Sequence, residues 1–350
     1  MSLIDLRSDT VTKPTPAMRA AMANAEVGDD GYSEDPTVRR LEELAAEMTG
    51  KEAGLFVASG TMGNQVAIMV HAGKGEEVIC EASAHIFGSE GAAIAALAGA
   101  QPYAITAKHG KLTPDLLEDA VRPANKVNAP RTALIAVENT HNRAGGTYYT
   151  PAELDAIRRF AAQRSIPVHM DGARIFNAAV AQNVPAAQLA QYADSMQFCL
   201  SKGLCAPFGS MVVATRNFIQ EARRCRQILG GGMRQAGIMA AAGIVGLNTM
   251  VQRLAEDHKH ARMLGETIAN TRIRIDLDSV QTNIVIFDVS LLGMTAVDFV
   301  KALQPHRIGA SVFGKYKVRM VTHNDVSAPD IQYVCTVLAE LGSRQQAAHA

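Results

Sequence analysis

The 350-residue sequence predicts an α/β protein, with a mostly parallel central sheet flanked by helices and a smaller C-terminal α+β domain. Two observations carry this. Short apolar runs alternate with amphipathic, helix-period stretches through the first two thirds of the chain, which is the pattern of strands joined by crossover helices. Hydrophobic residues make up 48% of the chain, enough to bury both faces of such a sheet.

Taken in order, the strands are expected at 54–58, 77–80, 101–105, 132–137, 167–170, 195–200 and 210–214. Between them, helices are expected at 62–72, 86–97, 114–121, 151–163 and 185–192. Thr113-Pro114 and Thr150-Pro151 mark helix starts, because threonine caps and proline fits the first turn. Gly230-Gly231-Gly232 interrupts the pattern, and one long helical run follows over 234–270. Strand-like runs at 282–289 and 317–321, with helices around 296–303 and 331–341, form the smaller unit. The expected division is a large domain over 1–250, N-terminal segment included, and a small domain over 251–350.

Composition excludes several classes. Lysine plus arginine (34) balances aspartate plus glutamate (34), which argues against a nucleic-acid surface. The five cysteines are odd in number and show no CxxC pairing, so they read as reduced thiols of a cytoplasmic protein rather than a disulfide or zinc framework. The charged start MSLIDLRSDT has no signal-peptide core, and the longest apolar stretches, 91–100 and 238–247, are too short for a bilayer.

The chemistry is concentrated where strands end. IPVHMDGAR places Asp171 at the close of one apolar run, and SMQFCLSKG places Lys202 at the close of the next. A lysine can form a Schiff base with the aldehyde of pyridoxal phosphate (PLP), while a carboxylate keeps the pyridine nitrogen protonated so that the ring accepts electrons. Singly, Asp171 also reads as a helix cap and Lys202 as a loop lysine. Ser59-Gly60-Thr61, at a strand-to-helix turn, offers backbone N–H groups and a hydroxyl to a phosphate. It has neither the P-loop nor the dinucleotide fingerprint, and an ordinary turn would look the same. His85 follows EEVICEASA at a strand end, where an imidazole can stack on a ring or move protons, or else stand solvated in a loop. The remaining histidines singled out (His71, His109, His258, His260, His306 and His349) are expected at the surface. Arg174, three residues after Asp171, Arg319 in KVRMVTH, and Arg234 after the triple glycine are candidate carboxylate donors, each with a plain surface reading beside it.

The segments LRSDTVTKP, GDDGYSEDPTV, FVASGTMGN, ENTHNRAGG, HMDGARIFNAA, CLSKGLCAPFGS, LGGGMRQAG and RMVTHNDVS, running in order from Leu6 to Ser327, resemble the low-specificity L-threonine aldolases. The resemblance implies the PLP-dependent transferase-like fold (fold type I) and retro-aldol cleavage of L-threonine and L-allo-threonine to glycine and acetaldehyde. It implies that Lys202 carries the cofactor, Asp171 pairs with its ring nitrogen, His85 stacks on the ring, and Gly60 and Thr61 hold the phosphate. Ser8, Arg174 and Arg319 are implied to receive the substrate carboxylate, with Arg174 near the cofactor's phenolic oxygen as well. Arg234 is expected to support the phosphate region, and Tyr32 to approach the site from a neighbouring subunit. The partners implied are a small β-hydroxy amino acid and further copies of the chain in a homotetramer, a dimer of dimers with sites at subunit interfaces. No metal, nucleic acid or membrane is expected.

One segment departs from the pattern. Many relatives carry a histidine just before the strand that ends in ENTHN, thought to contact the substrate β-hydroxyl. Here the segment is VNAPRT and Asn128 stands in its place. Asparagine can donate and accept a hydrogen bond but cannot act as a base near neutral pH. Other PLP activities, such as phenylserine cleavage, β-elimination or racemisation, remain alternatives, as does a PLP-binding regulator without catalysis.

Overall fold

A computed structural model describes residues 3–123 and 126–343. The chain opens with strand β1 (Ile4–Asp5), then α1 (Pro16–Ala23) and α2 (Pro36–Thr49). The strands β2 (Ala53–Val57), β3 (Glu77–Glu81), β4 (Gln101–Ile105), β5 (Thr132–Glu138), β6 (Val168–Asp171), β7 (Ser195–Cys199) and β8 (Ser210–Ala214) form one seven-stranded sheet of order β2-β8-β7-β6-β5-β3-β4. Pairs among β3 to β7 are parallel, and β8 runs antiparallel to both β7 and β2.

Alternate residues of each strand serve opposite faces, as strand geometry requires. Phe56, Ile79, Ile135 and Val213 join the largest core. There they meet Leu41 of α2, Leu154 of α6 (Pro151–Gln163) and Ile175 of α7 (Ile175–Gln182). Their neighbours Leu55, Val57, Val78, Leu134 and Val212 enter clusters with α3 (Gly60–His71) and α9 (Arg216–Ile228) on the other face. The sheet is therefore covered on both sides, and its carboxyl edge is left to loops.

α4 (His85–Gly88), α5 (Pro114–Glu118) and α8 (Ala186–Ala190) are short. The expected helix over 86–97 is broken: after α4 the chain passes through Ala92 (φ 60) and Gly91 (φ 64), both left-handed, into one short π-helical turn. The expected single run over 234–270 is two helices, α10 (Gly237–Thr249) and α11 (Leu254–Ala269), bent by 71°. Among the described residues no single helix is long and apolar enough to cross a membrane.

The C-terminal unit has its own core. β9 (Arg274–Ile275), β10 (Ile284–Asp288), β12 (Ser311–Val312) and β13 (Lys317–Val321) make an antiparallel sheet, while α12 (Ala296–Leu303) precedes the two-residue β11 (Ile308–Gly309) and α13 (Ala328–Ser343) closes the fold. The N-terminal segment, counted above with the large domain, pairs here instead. β1 lies parallel to β11, and the side chains of Ile4 and Leu6 are buried in the C-terminal core. His71 and His260 are likewise not surface residues: His71 bonds to Ser195, and His260 is buried.

Candidate active site

Parallel strands end on one edge, and the loops there carry the chemistry. His85 follows β3, Glu138 closes β5, Asp171 closes β6, and Lys202 follows β7. Arg319 reaches the same place from β13. With Ser8, Asn142 and Arg174 these residues line a cavity of about 190 Å³.

Asp171 is buried and held by three donors: Asn64 Nδ2 at 2.9 Å, Gln197 Nε2 at 2.5 Å and the Ala173 N–H at 3.0 Å. Burial alone would raise its pKa, but the nearby charges of His85 and Lys202 and these hydrogen bonds bring it below the usual carboxylate range. A buried carboxylate favoured in its charged form thus shares the cavity with Lys202.

His85 is fixed at two points. Its backbone N–H donates to Glu138 Oε2 at 2.6 Å, and its ring Nδ1 meets Glu90 Oε1 at 2.8 Å. The Glu90 contact raises the His85 pKa against the opposing effect of burial, with Asp171 and Glu138 adding to the rise. Glu138 also accepts from the Asn142 N–H at 2.8 Å, so one carboxylate sets both loops.

Arg174 is committed before any ligand arrives. Its Nε and Nη2 donate to the buried Asp9 at 2.7 and 2.6 Å, leaving Nη1 for a ligand. Burial alone would raise the Asp9 pKa, but the charge and hydrogen bonds of Arg174, with Lys202 and Asn283, together hold it well below the ordinary range. Arg319 donates to Asn142 Oδ1 at 2.8 Å and to the Arg7 carbonyl at 3.1 Å, with its guanidinium 4.7 Å from the Phe313 ring centre. Among the described residues its buried Nε has no hydrogen-bond partner. Burial, then the like charges of Arg174 and Arg143, lower its pKa to about 10. Two guanidinium groups that repel each other across one cavity favour an anion between them.

Ser8 lines the cavity, with its hydroxyl accepting from the Thr10 N–H and hydroxyl at 3.2 and 2.8 Å. Gly60 and Thr61 open α3 at half-buried positions, and Ser59 caps the helix by accepting from the Met62 N–H. A Cβ on Gly60 would stand 2.8 Å from Cys199 Sγ, so only glycine lets this helix start so close to the end of β7. The first N–H groups of α3 have no intrahelical partner and can meet an anion.

Three expected site residues lie elsewhere in a single chain. Tyr32 is 78% exposed. Arg234 is exposed and faces Asp29 at 3.7 Å, next to the Tyr32 segment. Asn128 sits in an exposed turn ahead of β5, whereas the site lies after β5. Seven extended residues at about 3.3 Å each put some 20 Å between the two ends. The expected Asn128 contact with a substrate hydroxyl is therefore not made within one chain.

Sequence reasoning also missed supporting residues: Glu138, Asn142, Asp9, Glu90, Asn64 and Gln197. Gln197 carried a signal, being a polar residue inside the apolar run SMQFC, and Glu138 opens the quoted ENTHN.

The family model described as Beta-eliminating lyase matches residues 5–291. The chain belongs to this family. Among curated members, the low-specificity L-threonine aldolase 1 of Arabidopsis thaliana is 41% identical over 338 residues, covering 95% of this chain and 94% of the relative. A solved threonine aldolase of Leishmania major superposes with TM-score 0.84 at 19% identity, covering 97% of this chain and all (100%) of that one. A structure of SPT with a PLP internal aldimine superposes with TM-score 0.76 at 17% identity, over 97% of this chain and 87% of that chain. These last two likenesses establish a fold type I architecture for this beta-eliminating lyase family member.

Proposed function

We propose that this protein is a PLP-dependent L-threonine aldolase, cleaving L-threonine and L-allo-threonine to glycine and acetaldehyde. The observation that carries the reading is the convergence on one cavity of Lys202, the buried anionic Asp171, and the guanidinium groups of Arg174 and Arg319. The donor set fits PLP. Lys202 would hold its aldehyde carbon, Asp171 its ring nitrogen, and Gly60 and Thr61 at the start of α3 its phosphate, while His85 would lie against the ring. When bound, PLP supplies an electron sink for the breaking Cα–Cβ bond.

The protein's own part is orientation and proton handling. Arg174 Nη1, Arg319 and Ser8 hold the substrate carboxylate, which fixes the torsion of the scissile bond. The unpartnered Nε of Arg319 gains a partner in the process. With Nδ1 given to Glu90, Nε2 is the His85 nitrogen left to hold or move a proton in the cavity. The β-hydroxyl proton passes to His85 Nε2 or to a water held there.

The assembly we propose is a cytoplasmic homotetramer, a dimer of dimers. Tyr32 and Ile228 are exposed at 78% and 74%, and Arg234 stands beside the Tyr32 segment, so a neighbouring copy is the simplest occupant of this surface. Asn128 touches a substrate hydroxyl only if the assembly brings its turn to another chain's site.

Incubation with L-threonine, L-allo-threonine and L-phenylserine, with product analysis, tests the activity. Acetaldehyde plus glycine from threonine supports it. Pyruvate plus ammonia would point to β-elimination, and inverted alanine from an alanine substrate would point to racemisation; either without aldehyde release contradicts it.

A further inference from the structure

Asp171 is the end of a buried hydrogen-bonded chain that begins seven residues along α3 from its last relay. On α3, Asn64 and His71 lie on one face, two turns apart. Beneath them the parallel register of β6 and β7 pairs His169 with Ser195 and Asp171 with Gln197. Successive side chains on a strand alternate, so these four share the face that meets α3. A continuous chain results. His71 Nε2 lies 2.8 Å from Ser195 Oγ, and Ser195 Oγ 2.8 Å from His169 Nδ1. His169 Nε2 lies 3.1 Å from Asn64 Oδ1, and Asn64 Nδ2 donates to Asp171 Oδ2 at 2.9 Å. Asn64 Nδ2 also donates to Glu90 Oε1 at 2.8 Å, and Glu90 holds His85 Nδ1. His169, Ser195 and Asn64 are 0%, 0% and 1% exposed, so water does not compete for these bonds.

One arrangement of protons satisfies every bond in this chain. Asn64 must turn its amide nitrogen to two carboxylates, so its oxygen faces His169. His169 must then carry its proton on Nε2, leaving Nδ1 as an acceptor. Ser195 gives its hydroxyl proton to that nitrogen and accepts from His71 Nε2–H. Every donor points toward Asp171, and each histidine takes one neutral tautomer. Burial supports this by holding both rings uncharged, with His169 lowered to about 3 and His71 to about 4.

We propose that His169 is a positioning residue for the cofactor site: through Asn64 it fixes one amide that holds Asp171 directly and, through Glu90, His85. This rests on the proposed function, in which Asp171 meets the nitrogen of a bound pyridine ring and His85 lies against its face. His169 touches neither substrate nor cofactor. Its action is to keep the Asn64 amide from rotating, so that the ring nitrogen meets a carboxylate in one geometry.

The test uses 15N-histidine protein and 15N-pyridine PLP, in wild type, His169→Leu, His169→Gln and Ser195→Ala. In the wild type the His169 nitrogens should report a single Nε2–H tautomer that does not titrate between about pH 5 and 9, a reading that needs no bound cofactor. His169→Leu should shift the pyridine nitrogen signal and the His85 titration midpoint, and lower kcat about tenfold (~1.4 kcal/mol) with KM changed by less than about twofold. His169→Gln should restore much of both signals, because an amide N–H can still donate to Asn64. If His169→Leu does not fold, Ser195→Ala carries the same comparison, with smaller shifts in the same direction. A folded His169→Leu protein with unchanged pyridine and His85 signals overturns the proposal, as does an Nδ1–H tautomer in the wild type. Absence of any Lys202-linked cofactor in the wild type would instead overturn the functional reading and leave the tautomer result standing.

Discussion

Arg319 faces a like charge. Its guanidinium shares a cavity with that of Arg174, and its buried Nε has no hydrogen-bond partner among the described residues. A carboxylate placed between the two relieves the repulsion and fills the vacancy. Arg319→Ala should therefore raise KM for threonine by roughly 30-fold, the equivalent of about 2 kcal/mol for one lost charged donor, while PLP binding stays near wild type. Steady-state kinetics beside cofactor titration check this, and loss of PLP with an unchanged KM would contradict it. His71 offers a second test. Its pKa in the folded state lies near 4, below the ordinary 6.5, because burial disfavours the charged ring. Between those values the unfolded chain binds a proton that the folded one refuses, so stability falls as pH drops through that window. The melting temperature of His71→Gln should fall less steeply than that of wild type from about pH 6.5 to 4, since glutamine does not titrate. Parallel curves would contradict it.

Among the elements, the strand edges matter most. Gly172 follows Asp171, and its N–H donates to the Gln197 carbonyl at 2.8 Å. A Cβ there would lie 2.9 Å from that carbonyl oxygen and 3.0 Å from Met196 Cγ. Gly172→Ala should cost about 1–3 kcal/mol by overpacking. It should also weaken the Gln197–Asp171 contact, so a melting scan and turnover should fall together; an unchanged protein would show the turn to be looser than described. The strands of the main sheet were legible because each is an apolar run bounded by polar loops. That β8 runs antiparallel was not, since direction leaves no trace in periodicity. The break within 86–97 was hidden for another reason. A regular helix suits those small apolar residues, but Glu90 is turned inward to reach Asn64, Gln65 and His85. Tertiary hydrogen bonds override local preference there. Lys202, Asp171 and His85 stand out in the sequence at strand ends, and the structure brings them to one cavity. Asp9, Asn64 and Gln197 were less so, because their partners lie far along the chain.

Across the whole molecule, residues 4–13 act as a strap between the two units. β1 and Leu6 are packed in the C-terminal core, and Asp9 binds Arg174 at the start of α7. Thr12 Oγ1 donates to the Lys202 carbonyl at 2.9 Å, and the Lys13 N–H to Asp325 at 3.0 Å. The Asp9–Arg174 pair is buried on both sides, with side chains 0% and 5% exposed. Asp9→Ala leaves a buried guanidinium without its anion and should destabilise the protein by about 3–5 kcal/mol in urea unfolding; a change below about 1 kcal/mol would mean that water already reaches the pair. In the proposed function Lys202 bonds the cofactor at the carboxyl edge of the sheet, in the cavity it shares with Asp171, Arg174 and Arg319. Borohydride reduction of the PLP-loaded protein, followed by peptide mapping, tests it most directly. The expected result is one PLP-bearing peptide that contains Lys202. A label on any other lysine, or no fixed cofactor at all, would contradict the account.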